Sequence, residues 1–224
     1  MSQKCVLVER VSLQVLEDLR RAIREYNSDL AIRSAKKLIE EKIDLYEGLD
    51  VMTTTIRQIG EGFGKGELWL PDLVGASAAM SAALPILEEE LKKEGKSRES
   101  LGTVVIGTVW GDIHTIGKAM VAALLTAAGF RVYDLGINIR ADQFVWAIRE
   151  HKADILAMSA LMTTTALEQK NTIELLKREG LRDRVKVMVG GGAITQEFAD
   201  AIGADGYDAT APGGMDVARR LVGK

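Results

Sequence analysis

The 224-residue sequence predicts an α + α/β protein: an N-terminal helical bundle followed by a doubly wound, five-stranded parallel sheet. Apolar residues recur at helical spacing early in the chain, β-branched runs alternate with helical segments after residue 100, and a polar stretch separates the two regimes. The bundle is read from four segments, 10–26, 29–43, 48–62 and 71–94, joined by connections as short as those of packed helices. Between residues 90 and 100 a charged helix end gives way to glycine and serine, the composition of a helix stop and linker. The boundary is set there, giving a helical domain 1–95 and an α/β domain 96–224.

In the second domain, strands are expected near 103–109, 131–134, 154–158, 185–189 and 205–207, with helices near 117–128, 141–150, 165–179, 194–202 and 214–222. Strand–helix repeats of this kind imply a parallel sheet covered on both faces. With right-handed crossovers the expected strand order is the flavodoxin-like (Rossmann-type) 2-1-3-4-5, which makes strands 1, 3 and 4 neighbours. The unusual loops follow those three strands: 111–117 after the first, 159–165 after the third, and Gly190, Gly191 and Gly192 after the fourth. They should meet at the carboxyl edge of the sheet, where open α/β folds bind ligands.

Composition narrows the function. The apolar share of 47% and the three prolines are those of an ordinary globular chain. A net charge of −3, with Lys and Arg interspersed among Asp and Glu, gives no electrostatic basis for nucleic-acid binding. The first ten residues set charges around a very short apolar run, neither a signal peptide nor a membrane span, so a cytoplasmic protein without membrane contact is expected. Cys5 is the only cysteine, which excludes an internal disulfide and a CxxC metal site.

One of the two histidines, His114, lies in the loop after the first strand. Its imidazole can offer a nitrogen to a metal, and Asp112, two residues earlier, can accept the other ring N–H and fix the tautomer. A zinc site takes about three or four protein ligands, and no further histidine or cysteine is within reach. A metal held here must bring its own equatorial ligands, as a macrocycle does. Gly190, Gly191 and Gly192 remove side chains where a large flat or elongated group passes the backbone, and Ser159, Thr163, Thr164 and Thr165 supply hydroxyls beside it. A phosphate cradle is the competing reading, but the glycines lack a P-loop lysine and the GxGxxG spacing.

The spacing carries a resemblance. Asp112-x-His114-x-x-Gly117, then 41 residues, Ser159-x-Leu161, then 28 residues, and Gly190-Gly191 resemble the DxHxxG, SxL, GG signature of cobalamin-binding proteins. The segment Gly66-Glu-Leu-Trp-Leu-Pro71 and its surrounding helices resemble the helical cap of methyl-carrying corrinoid proteins, so the likeness covers nearly the whole chain. It extends to the cobalamin-binding region of methionine synthase and to the corrinoid proteins of methylamine, methanol and O-demethylase systems. Gly192 departs from the many relatives that carry alanine there, which leaves open which two of the three glycines touch the cofactor.

The resemblance implies base-off, His-on binding of cobalamin or a related corrinoid, with His114 as the lower cobalt ligand and the displaced nucleotide tail in a slot of the sheet domain. Asp112 would bond His114, and Thr165 would extend that relay. Ile113, Thr115 and Ile116 belong to the same cofactor-binding loop. Ser159, Leu161, Thr163, Gly190 and Gly191 would line the tail slot, Gly117 would let the first helix begin close to it, and Tyr207 would form its far wall. Trp69, with Leu70, Leu73 and Met80, would cover the upper face of a cobalt cycling between methylcobalamin and Co(I), and the 90–100 linker would let the cap move aside. The protein would be a non-autonomous corrinoid subunit that carries a methyl group from a substrate-specific methyltransferase (methylamine, methanol, betaine or aryl methyl ether as donor). An acceptor methyltransferase using tetrahydrofolate or a thiol would receive it, and a corrinoid reductive activase would maintain the cofactor.

Three alternatives compete. The cobalamin subunit of an adenosylcobalamin mutase shares the sheet signature but does not require the cap. A cobalamin-based light-sensing regulator shares the cap-plus-sheet layout but adds a DNA-binding segment and a W-x9-E-H motif; here the tenth and eleventh residues after Trp69 are Ala79 and Met80. A cofactor-free flavodoxin-like interaction module would have no need of the spaced motifs.

Overall fold

A computed structural model describes residues 3–95 and 100–223, which form two compact units divided after Glu99. The side chain of Cys5 and residues 96–99 of the expected hinge lie outside the described residues.

The first unit contains α1 (Gln3–Arg24), α2 (Ser28–Glu40), α3 (Leu45–Gly64) and α4 (Leu70–Lys93). Side-chain caps fix where the inner helices begin: Asn27 accepts from the Leu30 amide and Asp44 from the Tyr46 amide, each at 2.9 Å. The start of α4 has Pro71 in its first turn, and Asp72 reaches back to the Trp69 amide at 2.7 Å. The same carboxylate accepts from the Tyr26 hydroxyl at 2.7 Å, tying the end of α1 to α4. The Tyr26 ring lies where a Cβ on Gly75 would stand, 2.7 Å from it, so glycine in α4 makes room for this tie. Leu19, Ile23, Leu38, Met52, Ile56, Leu73, Met80, Leu87 and Leu91 form the buried core. Among the described residues α4 is the one helix long and apolar enough to cross a membrane by length and composition; it packs on α1, α2 and α3, as a core helix does.

The second unit alternates β1 (Thr103–Thr108), α5 (Ile116–Ala128), β2 (Arg131–Asp134), α6 (Ala141–His151), β3 (Ile155–Ser159), α7 (Thr163–Arg178), β4 (Lys186–Gly190), α8 (Gln196–Ile202), β5 (Gly206–Tyr207) and α9 (Ala211–Leu221). All pairings are parallel, in the order β2-β1-β3-β4-β5. Alternation along each strand feeds two cores. Val105, Leu156 and Val187 pack with Phe144 of α6 and Ile173 of α7 on one face, while Val104, Ile106, Ile155 and Met188 pack with Leu125 of α5 and Val217 of α9 on the other. Thr108 pairs with Ser159, and Ser159 with Gly190, so the three loop origins are in register at the carboxyl edge.

Three boundaries depart from expectation, the first being that α1 begins at Gln3 and not near residue 10. Residues 163–165, expected as loop, are the first turn of α7, because Met162 is the extended residue that precedes the helix. Gly213 and Gly214, expected at or before the start of the last helix, lie inside α9: the Thr210 hydroxyl caps Gly213 at 3.1 Å and Pro212 occupies the first turn.

Candidate functional site

After β1 the chain turns at Gly111, whose φ of +78° suits glycine, and places Asp112 in the interior with no exposed surface. Four donors converge on its carboxylate. Oδ1 accepts from the His114 amide at 3.0 Å and bonds His114 Nδ1 at 2.7 Å; Oδ2 accepts from the Leu161 amide and the Thr165 hydroxyl, each at 2.8 Å. Burial pushes this carboxyl upward, but the bonds from the His114 and Leu161 amides, Thr165 and the imidazole outweigh it and hold the group well below the usual carboxylate range. Asp112 is therefore ionised and accepts the Nδ1 proton of His114, and in the neutral imidazole this makes Nε2 the nitrogen with the lone pair. The His114 side chain is 49% exposed, so a buried anion stands behind an accessible imidazole.

Two residues outside the expected set hold this loop. The Thr108 hydroxyl donates to the His114 carbonyl at 2.9 Å. Asn138, in the connection after β2, accepts from the Gly111 amide at 2.8 Å and donates its own amide to the Asp112 carbonyl at 3.1 Å. Its φ of +58° is a conformation asparagine adopts more readily than most residues. An asparagine two residues after Gly136 was the available signal, in a loop whose strand lies outside the β1–β3–β4 group.

Beside this loop lies a cavity of about 390 Å³, bounded by the first turns of α5, the ends of β3 and β4, and the segment from Tyr207 to Gly214. Gly117, Ser159, Gly190, Gly191, Gly192 and Tyr207 all line it. Leu161 and Thr163 stand outside the lining: Leu161 gives its amide to Asp112 while its side chain is 44% exposed, and Thr163 is exposed at the start of α7. Ile113, Thr115 and Ile116 are exposed around His114. Trp69 belongs to the helical unit, where it precedes α4 and is 75% exposed; Leu73 and Met80 are fully buried and Leu70 is half-buried.

Most polar groups on the cavity wall are already committed. Lys118, its side chain 2% exposed, is paired with both carboxylate oxygens of Asp134 at the end of β2. The Tyr207 hydroxyl donates to the Ile194 carbonyl at 2.8 Å, and Asp208 accepts from the amide and hydroxyl of Thr210. Ile106, Met120, Val121, Ala157, Met188 and Val189 give the wall its apolar surface.

The three glycines have separate tasks. A Cβ at Gly190 would meet only the Asp208 carbonyl at 3.9 Å, so the missing side chain is open cavity space. At Gly191, with φ at +121°, a Cβ would stand 1.9 Å from the Ala160 carbonyl oxygen; this glycine lets the β3 and β4 loops touch. A Cβ at Gly192 would meet the flexible end of Leu161 at 2.7 Å.

Among the described residues no three His, Cys, Asp or Glu side chains are grouped to hold a bare metal ion. One accessible imidazole beside a mainly apolar cavity suits a metal that arrives with its own ring and an appended group. Models of B12-binding domains match residues 102–213 and residues 15–88. The sequence is 42% identical to a corrinoid protein of Desulfitobacterium hafniense (strain Y51), over 95% of this chain and 99% of the relative. The chain belongs to the B12-binding corrinoid proteins. This corrinoid protein is also 42% identical to the trimethylamine corrinoid protein of Methanosarcina barkeri, over 88% of this chain and 92% of that one. Among solved structures it resembles a chain of the methanol:cobalamin methyltransferase complex from Methanosarcina barkeri, with a TM-score of 0.76 and 26% identity, covering 100% of this chain and 90% of that one. Its cofactor is a corrinoid, and the residues at the carboxyl edge fit that group.

Proposed function

We propose that this corrinoid protein is a cytoplasmic methyl shuttle that binds cobalamin base-off with His114 as the lower cobalt ligand. In this reading the cavity beside α5 would take the nucleotide tail, and the exposed Ile113, Thr115, Ile116, Leu161 and Thr163 would help to hold the cofactor. The observation that carries it is the half-exposed imidazole hydrogen-bonded to a buried, ionised carboxylate. A bound corrinoid supplies the cobalt that accepts and gives up a methyl group.

The protein's own residues have defined tasks. Asp112 holds the Nδ1 proton of His114, keeps Nε2 a lone-pair donor and fixes the plane of the ring. Thr165 Oγ1 and the Leu161 amide keep Asp112 ionised and in place, completing a relay from α7 to the imidazole. The apolar cavity wall excludes water from the tail. Trp69 and Leu70 are the residues of the helical unit assigned to the cofactor.

The donor in this reading is a methylamine or methanol, supported by the likeness to trimethylamine and dimethylamine corrinoid proteins and to a chain of the methanol:cobalamin methyltransferase complex. A substrate-specific methyltransferase loads the methyl group, an acceptor methyltransferase using a thiol or tetrahydrofolate removes it, and a reductive activase restores the cofactor. The helical unit, matched by its own B12-binding model, favours the shuttle over a mutase subunit.

The test combines binding and transfer. Purified protein mixed with hydroxocobalamin should take up an equimolar amount, and after reduction and methylation should deliver the methyl group to a thiol-specific methyltransferase. His114→Ala should lose the axial nitrogen signature while melting close to wild type, because the ring is half in solvent. Spectra unchanged in His114→Ala would remove the axial assignment, and adenosylcobalamin-dependent radical turnover would replace the shuttle with the mutase.

A further inference from the structure

Gln169 sits in the second turn of α7, one turn beyond Thr165, with no exposed surface. Its Nε2 donates to the Met158 carbonyl at 3.1 Å and to the Gly190 carbonyl at 3.2 Å. The first acceptor is on β3 and the second on β4, and both residues line the cavity. Among the described residues Oε1 of the same amide is the buried side-chain atom with no hydrogen-bond partner. Leaving an acceptor unsatisfied in the interior is unfavourable, and an apolar side chain of equal length would avoid it. The amide is therefore explained by its two donors, which no apolar residue supplies.

Those donors act at the last paired residues of β3 and β4. Gly190 is the last residue of β4, and beyond it the loops meet through the Ala160 amide, which donates to the Gly190 carbonyl at 3.0 Å, and through the contact of Gly191 with Ala160. Gln169 bridges the same two strands through the Met158 and Gly190 carbonyls, so the spacing of the Ser159–Gly190 pair on the slot wall is set by the ladder and by this side chain together.

We propose that Gln169 is a positioning residue for the nucleotide tail, holding the β3 and β4 ends at the separation the slot requires. The proposal rests on the cofactor reading above. Its test compares two corrinoids on the full-length chain: hydroxocobalamin, which has a nucleotide tail, and aquacobinamide, which has the same ring without one. Gln169→Met should weaken hydroxocobalamin binding by roughly three- to tenfold, the worth of a hydrogen bond or two. It should leave aquacobinamide affinity and the histidine nitrogen coupling of the Co(II) form at wild-type values. Should Gln169→Met not fold, Gln169→Asn draws the amide back by one methylene from both carbonyls and carries the same comparison. Equal loss for both corrinoids, or no loss for either, overturns the assignment. Failure of the wild-type chain to bind either corrinoid defeats the cofactor reading itself, and this inference with it.

Discussion

The loop around His114 and the cavity beside it are built by opposite means. In the loop, donors from the Leu161 and His114 amides, the imidazole and Thr165 converge on one carboxylate, while Thr108 and Asn138 fix its backbone. In the cavity, polar groups turn toward one another, as Lys118 does to Asp134, and the space exists because Gly190 has no side chain. One half of the site is specified by which groups are present and the other by which are missing. The first should fail through chemistry when altered, the second through shape.

The largest effect expected from that contrast is at Gly191. Gly191→Ala combines a left-handed φ with a Cβ at 1.9 Å from a backbone oxygen, and should destabilise the sheet unit by about 3 kcal/mol or more, read by thermal melting. Near-wild-type melting would show that the loops are free to part. Next in size, Gly190→Val should remove tight hydroxocobalamin binding while leaving stability within about 1 kcal/mol of wild type, because its Cβ enters open space. If the variant binds cobalamin normally, the tail lies elsewhere.

Asp112→Asn mixes the two modes of failure. The amide cannot accept from all four donors, so corrinoid affinity should fall by roughly 10- to 100-fold and stability by about 1–3 kcal/mol. A loss of stability alone would assign Asp112 a purely structural role.

The smallest effect lies in the helical unit and serves as the control. The Trp69 amide, then the Tyr26 hydroxyl, hold Asp72 below the ordinary carboxylate range. A carboxylate with a lowered folded pKa contributes stability that is present above its unfolded pKa and is lost as pH falls through the folded value. Melting temperature should therefore decline slightly with acidification in that window, and Tyr26→Phe should flatten part of the decline without altering corrinoid binding. An unchanged pH profile in Tyr26→Phe would show that the tie between α1 and α4 carries no measurable stability.

The same contrast explains what could be read from the sequence. The strand order followed from β-branched runs alternating with helical ones, and the Asp112–His114 pair from two chemically distinctive residues in one turn. Asn138, Thr108, Gln169 and the Lys118–Asp134 pair were not legible, because each matters only once parallel register has brought distant segments together. The division of labour among the glycines was hidden for a related reason. A missing side chain leaves no pattern, and only the position of the Ala160 carbonyl shows that Gly191 serves the loops while Gly190 leaves space.

The axial role proposed for His114 is tested most directly by electron paramagnetic resonance of the Co(II) form, reconstituted with cobalamin on protein grown with ¹⁵N-histidine. His151, the other histidine, stacks on Tyr133 at 3.7 Å and can be replaced by glutamine so that His114 alone carries the label. Coordination by His114 predicts that the nitrogen splitting changes from a triplet in unlabelled protein to a doublet in labelled protein. A triplet that persists in the labelled sample would mean that the cofactor's own base remains on cobalt, and would contradict the account.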